Sequence, residues 1–430
     1  MDAGRHSRCT RAGGEGIPSL TALSCRMFPR CVCPPDAPRE KFSPGGLLGS
    51  ADSVLFRRRK WIATAGRRWY AGGMFNRELL ERCSQAGAVS GFEGEMRRLL
   101  REELEGCGEV RVCPSGNLIC ERKGAGPSVA LLAHMDEIGF MVQGVTEDGF
   151  LLMVPLGGWW NHTLPSQRVL IRTRDGRDIP GQVGTKPPHL LPEAQRRQVM
   201  PDDALFIDVG ASTREEVMRL GIAPGCPVVP DVRLQPLAVP HRWMGKAFDN
   251  RAGVYCMVEA MKRLSDEALP CALSAVGTVQ EEVGTRGARA LEERFIPDLA
   301  IILEGPPADD TWGQSSVCRQ GVLGKGVQVR LFDPTHITPP ALADLVQRVA
   351  TEEGIPCQPA VRRTGGTDAA ASYPCWAGTP AIVLGVPVRY IHSHNGILDD
   401  RDLEACVNLV CAVVRRCDET LLRTLTRLDG

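Results

Sequence analysis

The sequence lacks long apolar runs. It contains no window of about 18 uninterrupted apolar residues, so no membrane span is expected. It also lacks a secretory signal with a charged start, an apolar centre and a small-residue cleavage site. The 17 cysteines are scattered, and the close pair Cys31 and Cys33 has no second pair or histidines nearby to complete a zinc module. We therefore expect a soluble, cytoplasmic protein with reduced thiols.

The sequence also lacks net charge. Its 430 residues include 51 Lys and Arg and 51 Asp and Glu, which gives no support for nucleic-acid binding. Residues 1–73 are nevertheless basic, with 13 Lys and Arg against 5 Asp and Glu. This segment is rich in Gly, Pro, Ser and Arg without a sustained period, which predicts a disordered tail. An organelle transit peptide is an alternative, and the abrupt start of ordered sequence at Met74 favours an over-long start assignment over both.

From Met74 onward, apolar strands alternate with helical patterns, which is typical of an α/β domain. Ser90 and Glu93 have the spacing of a capping box and predict the start of a helix. Between residues 147 and 240 the pattern changes to short apolar segments separated by Gly and Pro. We therefore predict a catalytic α/β domain over residues 74–146 and 241–430, with a small β domain inserted over residues 147–240.

Several apolar strands are followed by side chains that can bind metal ions. These side chains are His134 and Asp136, Glu281 and Glu282, Glu304, and His392, while Asp249 opens a helix. Strands of a parallel sheet share a direction, so their carboxyl ends should bring these groups together. Two imidazoles with several carboxylates suit Zn²⁺, Co²⁺ or Mn²⁺. The set exceeds the three protein ligands of a typical catalytic zinc, so two ions per subunit are predicted, with Zn²⁺ or Co²⁺ favoured.

Five motifs occur in a characteristic order along the chain. They are Ala133-His134-Met135-Asp136-Glu137-Ile138-Gly139, Asp249-Asn250-Arg251-Ala252-Gly253, Gln280-Glu281-Glu282-Val283-Gly284, Gly365-Gly366-Thr367-Asp368-Ala369 and Tyr390-Ile391-His392-Ser393. In these motifs the chain resembles the tetrahedral, or glutamyl and deblocking, metallo-aminopeptidases with co-catalytic metals. The resemblance implies an α/β, phosphorylase/hydrolase-like mixed-sheet sandwich with an inserted small β-barrel or PDZ-like domain.

The resemblance also implies the ligands of each ion. One ion would be held by His134, Asp249 and Glu304, and the other by Asp249, Glu282 and His392, so that Asp249 bridges. The family often has Asp where this chain has Glu304, and His394 is an alternative to His392.

Roles for the remaining site residues follow from the same resemblance. Glu281 would be the general base, and Asp136 would accept the imidazole N–H of His134. The Gly365–Asp368 loop would form the cavity wall.

The predicted activity is hydrolysis of the first residue from short peptides by a water that bridges two metal ions. The resemblance implies assembly through the inserted domain into homo-oligomers, from dimers to tetrahedral dodecamers. A glycoside hydrolase of the endoglucanase type and a catalytically silent assembly or binding protein are the alternatives. The sequence does not specify the preferred first residue or the native metal.

Overall fold

The structure is a computed structural model that describes residues 75–291 and 295–426. The helices are α1 (Arg77–Gln85), α2 (Gly94–Glu103), α3 (Glu193–Arg196), α4 (Arg214–Arg219), α5 (Phe248–Leu264), α6 (Arg286–Arg289), α7 (Pro340–Glu352), α8 (Asp400–Val414) and α9 (Glu419–Thr426). The prediction for residues 1–73 lies outside the described residues.

The strands up to the start of α5 are β1 (Glu109–Val112), β2 (Leu118–Arg122), β3 (Ser128–His134), β4 (Gly139–Val145), β5 (Leu151–Leu156), β6 (Arg168–Arg172), β7 (Asp178–Gly184), β8 (Phe206–Asp208), β9 (Pro227–Pro230), β10 (Gln235–Pro236) and β11 (Arg242–Gly245). The later strands are β12 (Ala272–Thr278), β13 (Leu299–Glu304), β14 (Val327–Asp333), β15 (His336–Ile337), β16 (Cys357–Val361), β17 (Ala381–Gly385) and β18 (Gly396–Asp399).

The main sheet is mixed and follows the order β1-β2-β12-β3-β13-β17-β14-β15, with β16 paired to β14. Its centre is parallel, because β12, β3, β13 and β17 run in one direction. These strands are nearly continuous in Val, Ile, Leu and Ala, as expected for strands covered on both faces. Their carboxyl ends therefore meet at one edge of the sheet.

Apolar side chains cover both faces of this sheet. One face packs against α1, α2, α5, α7 and α8 in a large core that includes Leu80, Met257 and Val410. The other face packs against a smaller layer containing Ala288 and Trp376. The predicted α/β fold is thus confirmed, with helices and loops sandwiching the sheet.

A closed six-stranded barrel in the order β4-β5-β8-β7-β6-β9 forms the predicted β insertion. Its own apolar core includes Phe140, Ile171 and Ile207. The first barrel strand, β4, begins at Gly139, ahead of the boundary predicted at residue 147. Only residues 135–138 separate β4 from β3, and they contain none of the Gly and Pro residues that marked the rest of the insertion.

The capping box predicted at Ser90 and Glu93 is wrong. Helix α2 begins at Gly94, and Glu93 occupies its N-cap without capping it through the side chain. The Ser90 hydroxyl instead donates to Asp136 Oδ2 at 2.6 Å. The Glu93 carboxylate accepts from the backbone N–H groups of Gly91 and Gln280. Tertiary contacts with the loops of the site therefore outweigh the local cap.

No helix among the described residues combines the length and apolar character needed to cross a membrane.

Candidate metal centre

The predicted site residues meet at the carboxyl edge of the parallel strands. His134 ends β3, Glu304 ends β13, and Glu281 and Glu282 follow β12. Asp249 comes from the start of α5, and His392 comes from the loop before β18. All six line one cavity of about 520 Å³.

Asp249 lies between the two histidines. Its Oδ1 atom is 3.2 Å from Nε2 of His134, and its Oδ2 atom is 3.2 Å from Nε2 of His392. The backbone at Asp249 and Asn250 departs from helical dihedral angles, and the side chain of Asn250 accepts from the N–H of Gly253. The Asp249 carboxylate thus lies within 3.2 Å of both histidines, His134 and His392.

Two clusters in the described residues have the composition predicted for metal sites. One contains His134, Asp249 and Glu304, and the other contains Asp249, Glu282 and His392, with ligand atoms within 4.8 Å of one another in each. A third combination of the same kind contains His134, Glu281 and Glu282. The geometry therefore allows Glu281 to be either a metal ligand or a residue that lies next to the ligands without binding an ion.

Adjacent residues Glu281 and Glu282 both reach the cavity because the strand has already ended. Strand β12 ends at Thr278, and Gln280 has a left-handed backbone with φ of 54°. The Asp136 carboxylate accepts from the N–H of Glu281 at 3.0 Å and from that of Glu282 at 3.2 Å. Asp136 thereby fixes the loop that carries both glutamates.

The Nδ1 atoms of both histidines face acceptors. In His134, Nδ1 is 3.1 Å from the backbone oxygen of Asp136 and 3.4 Å from its Oδ1 atom. In His392, Nδ1 is 2.8 Å from the carbonyl oxygen of Gly158, which lies two residues after the barrel strand β5. These contacts favour a proton on Nδ1, which leaves each Nε2 atom available as a ligand.

The site crowds several carboxyl groups and two imidazoles together. Burial and the neighbouring Asp249 raise the pKa of Glu282 to about 8. Burial also raises the pKa of Glu304 to about 8, although His134 opposes this. Burial alone would lower the pKa of His392, but its contact with Asp249 and the charge of Glu282 raise it to about 9. One oxygen of Glu282, Oε1, is buried without a hydrogen-bond partner in the described part of the protein. A crowded set of carboxylates and imidazoles with an unpartnered oxygen fits divalent cations.

Comparison with known proteins places the chain in a family. The family described as M42 glutamyl aminopeptidase matches residues 116–409, which include every predicted site residue. The chain belongs to the M42 glutamyl aminopeptidase family.

Two aminopeptidases are similar to the chain along most of their own length. The glutamyl aminopeptidase of Lactococcus lactis is 34% identical over 338 residues, 76% of this chain and 92% of the relative. The lysyl aminopeptidase of Pyrococcus furiosus is 34% identical over 349 residues, 79% of this chain and 97% of the relative. The names of these two relatives refer to different first residues.

Solved structures support the same fold. The TET1 peptidase of Pyrococcus horikoshii, described as assembling into a tetrahedron or a large octahedral shell, is 32% identical with a TM-score of 0.72. The match covers 79% of this chain and 99% of that chain. An endoglucanase structure from Thermotoga maritima is more distant, at 27% identity and a TM-score of 0.65, and the match covers 81% of this chain and 99% of that one. The chain is an M42-family aminopeptidase, as predicted.

Two residues that hold this M42 site together were not identified from the sequence. Ser90 bonds to Asp136, and Glu93 accepts from the N–H of Gln280 at 3.1 Å, so α2 and the turn before it support the glutamate loop. Their spacing suggested a local cap, and nothing in the local pattern indicates a partner more than 40 positions away. The one sequence feature that could have indicated this role is that both are polar residues beside an apolar helix.

The alternative ligand His394 lies outside the three clusters of the described residues. It is buried, and its ring centroid is 5.2 Å from that of Trp159. Burial lowers the pKa of His394 to about 4. The geometry therefore favours His392 over His394 as the ligand.

The predicted wall of the cavity also lies beside the site. Gly365, Gly366 and Thr367 line the cavity. Asp368 is buried behind them, where its Oδ2 atom accepts from the hydroxyl of Thr278 at 2.5 Å. The loop thus forms part of the cavity wall.

Proposed function

We propose that this aminopeptidase uses two divalent ions that share Asp249, and that it hydrolyses the first peptide bond of short peptides. The observation that carries the proposal is the position of Asp249, with one carboxylate oxygen toward each histidine. Six carboxylates and two imidazoles surround the cavity or support its walls, which is more ligand capacity than one ion uses.

The residues divide into two sets around the shared carboxylate. His134 and Glu304 would complete one set, and Glu282 and His392 would complete the other. When bound, two divalent ions would supply Lewis acidity for the attacking water and the peptide carbonyl. Zn²⁺ and Co²⁺ both suit this mixture of nitrogen and oxygen ligands.

Glu281 would be the general base that transfers the proton. Its Oε2 atom is 3.8 Å from Nε2 of His134, and its side chain is 13% exposed, so it reaches the cavity without being open to bulk solvent. Burial raises the pKa of Glu281 well above its ordinary value, which suits a carboxylate that must accept a proton and then release it. Glu281 would take the proton of the attacking water and pass it to the leaving amine.

Asp136 would position the machinery without touching the reacting atoms. Its carboxylate holds the backbone of Glu281 and Glu282, and its backbone oxygen faces His134. It therefore couples the general base to a ligand of the first ion.

The test is turnover of aminoacyl-p-nitroanilides by protein stripped with a chelator and then reloaded with Zn²⁺ or Co²⁺. We expect activity to disappear with the chelator and to return with metal, with close to two ions bound per chain by elemental analysis. One ion per chain at full activity would refute the shared-carboxylate arrangement.

The glycoside hydrolase alternative makes a different prediction. Sugar hydrolysis usually uses two metal-free carboxylates that flank the bond, whereas here two histidines accompany the carboxylates. Release of reducing sugar from cellulose, without release of p-nitroaniline, would favour that alternative. The catalytically silent alternative would be favoured if metal-loaded protein released neither product.

We further propose that the barrel mediates assembly into homo-oligomers, in line with the assemblies described for the TET1 peptidase of Pyrococcus horikoshii. Light scattering coupled to gel filtration of the full chain would measure the subunit number. A monomer at micromolar concentration would contradict this part of the proposal.

A further inference from the structure

The chain segment after the barrel strand β5 reaches the metal centre. It consists of Gly157, Gly158 and Trp159, which directly follow β5. A Cβ atom added at Gly157 would lie 3.2 Å from Glu282 Oε2, and one added at Gly158 would lie 3.3 Å from His392 Nδ1. Glu282 and His392 are the predicted ligands of one ion only, named the second ion. The two glycines therefore bring their backbone close to the ligands of the second ion.

The backbone conformation of His392 is itself unfavourable. This residue lies in the loop between β17 and β18 and has a left-handed backbone with φ of 56°, which is strained for a residue with a side chain. Its Nδ1 atom is 2.8 Å from the carbonyl oxygen of Gly158, so an N–H at Nδ1 donates to that oxygen. The same orientation of the ring leaves Nε2 3.2 Å from Oδ2 of Asp249. The direction of this ligand therefore depends on a carbonyl group beside the barrel.

Trp159 attaches this segment to the barrel. Its ring stacks on that of Phe140, with ring centroids 4.9 Å apart and planes inclined by 19°. Its Nε1–H donates to the backbone oxygen of Gly139 at 3.0 Å. Both partners lie in β4, and Phe140 belongs to the apolar core of the barrel. Because Gly158 directly precedes Trp159, these two contacts restrict the position of the Gly158 carbonyl oxygen.

Trp159 also contacts the loop that carries His392. Its ring centroid is 5.2 Å from that of His394, with the ring planes inclined by 52°. His394 is 1% exposed, and neither of its ring nitrogens has a hydrogen-bond partner in the described part of the chain. Its contribution is therefore packing, since a ring without hydrogen bonds positions its neighbours by van der Waals contact. Trp159 thus restrains both the segment that carries Gly158 and the loop that carries His392.

The histidine of the first ion is oriented differently. Nδ1 of His134 is 3.1 Å from the backbone oxygen of Asp136, which lies in the short connection between β3 and β4. His134 itself ends β3 of the main sheet, and the other ligand of the first ion alone, Glu304, ends β13 of the same sheet. The two predicted ions therefore differ in what orients their histidines. A residue next to the main sheet orients the first histidine, and the segment after β5 orients the second.

We infer that Trp159 is a positioning residue for the second ion, because it holds the Gly158 carbonyl oxygen that orients His392. The barrel is then part of the second metal site within a single chain, which is a role separate from assembly. The inference rests on the proposed function, since it requires two ions that share Asp249. Loss of the Trp159 contacts allows His392 to turn away from Asp249, which weakens binding of the second ion while the first ion stays bound.

The experiment titrates the metal-free full chain with Co²⁺ and records heat and visible absorption, which reports the coordination of each bound ion. Glu282→Gln, which removes a ligand of the second ion, identifies the titration step that belongs to that ion. In Trp159→Ala the affinity of that step should fall about 10- to 100-fold, the range for residues that orient a metal ligand. Gly158→Ala places a methyl group against His392 Nδ1 and should weaken the same step while the Trp159 side chain is kept. The first step should keep its wild-type affinity in both variants.

The matched control is Trp160→Ala. Trp160 is the next residue, is 61% exposed and has its ring edge-on to that of His162, so both titration steps should match wild type. Equal weakening of both steps in the two variants, or an unchanged second step in both, would overturn the inference and leave the two-ion proposal intact. If Trp159→Ala fails to fold, Gly158→Ala decides by the same criterion. Binding of a single Co²⁺ by the wild type would refute the proposed two-ion function, and the inference would fail with it.

Discussion

Replacing Glu281 by glutamine removes a proton acceptor while keeping the size of the side chain. The same substitution at Glu282 removes charge from a predicted ligand. The two residues are adjacent, and both backbone N–H groups are held by Asp136, so neither substitution should move the loop. Because the geometry also allows a cluster in which Glu281 is a ligand, this pair of variants decides between the two roles.

The two substitutions should affect different quantities, kcat for Glu281→Gln and metal affinity for Glu282→Gln. Loss of a general base typically costs about 10²- to 10⁴-fold in turnover, so Glu281→Gln should lower kcat by that range. Glu282 has one oxygen 3.6 Å from Nε2 of His392 and another that is buried without a partner in the described residues. A unit charge about 4 Å from another is worth about 4 kcal/mol at an effective dielectric constant of about 20. Glu282→Gln should therefore weaken binding of one ion on the order of 10²-fold or more.

The assay measures metal content and kcat on the same preparations. Glu281→Gln should bind as many ions as wild type and turn over poorly, whereas Glu282→Gln should lose one ion and regain activity only at raised metal concentration. Glu215→Gln, which changes an exposed glutamate of α4 in the barrel region, is the control and should match wild type. Loss of an ion in Glu281→Gln with full retention in Glu282→Gln would refute the assignment.

Three further predictions follow from the site and its supports. Asp136→Asn should lower metal affinity about 10- to 100-fold by titration calorimetry, because the residue orients a ligand. Glu137→Ala should destabilise the protein by about 3 to 5 kcal/mol in urea unfolding, because Lys246 Nζ at 2.6 Å and Arg251 Nη2 at 3.3 Å would be left buried without their carboxylate. A chain without residues 1–73 should turn over the same substrates, since every predicted site residue lies in the described structure beyond them.

Each of these predictions has its own check. Glu193→Ala removes the carboxylate of the exposed pair with Arg197 and should change stability by less than about 1 kcal/mol; an effect as large as that of Glu137→Ala would contradict the burial argument. Unchanged metal affinity in Asp136→Asn would show that the loop holds its shape without this charge. Lost turnover in the shortened chain would give residues 1–73 a role.

The fold was largely predictable because its signals are local. The apolar runs of β3, β12 and β13 indicate strands covered on both faces, and the Gly and Pro punctuation after residue 147 indicates an inserted β domain. The start of the barrel was predicted too late, because β4 follows β3 without a turn signal. The helix start at Ser90 was wrong, because both side chains of the expected cap bind distant loops instead.

The sequence by itself determined the inventory of the site. Metal-capable side chains after several parallel strands must gather at one sheet edge, so His134, Glu282 and Glu304 could be grouped from strand direction alone. Only the tertiary structure decided how they are arranged, because contacts between distant segments depend on packing that no local pattern records. It placed Asp249 between the histidines and ended β12 early enough for Glu281 and Glu282 to share the cavity.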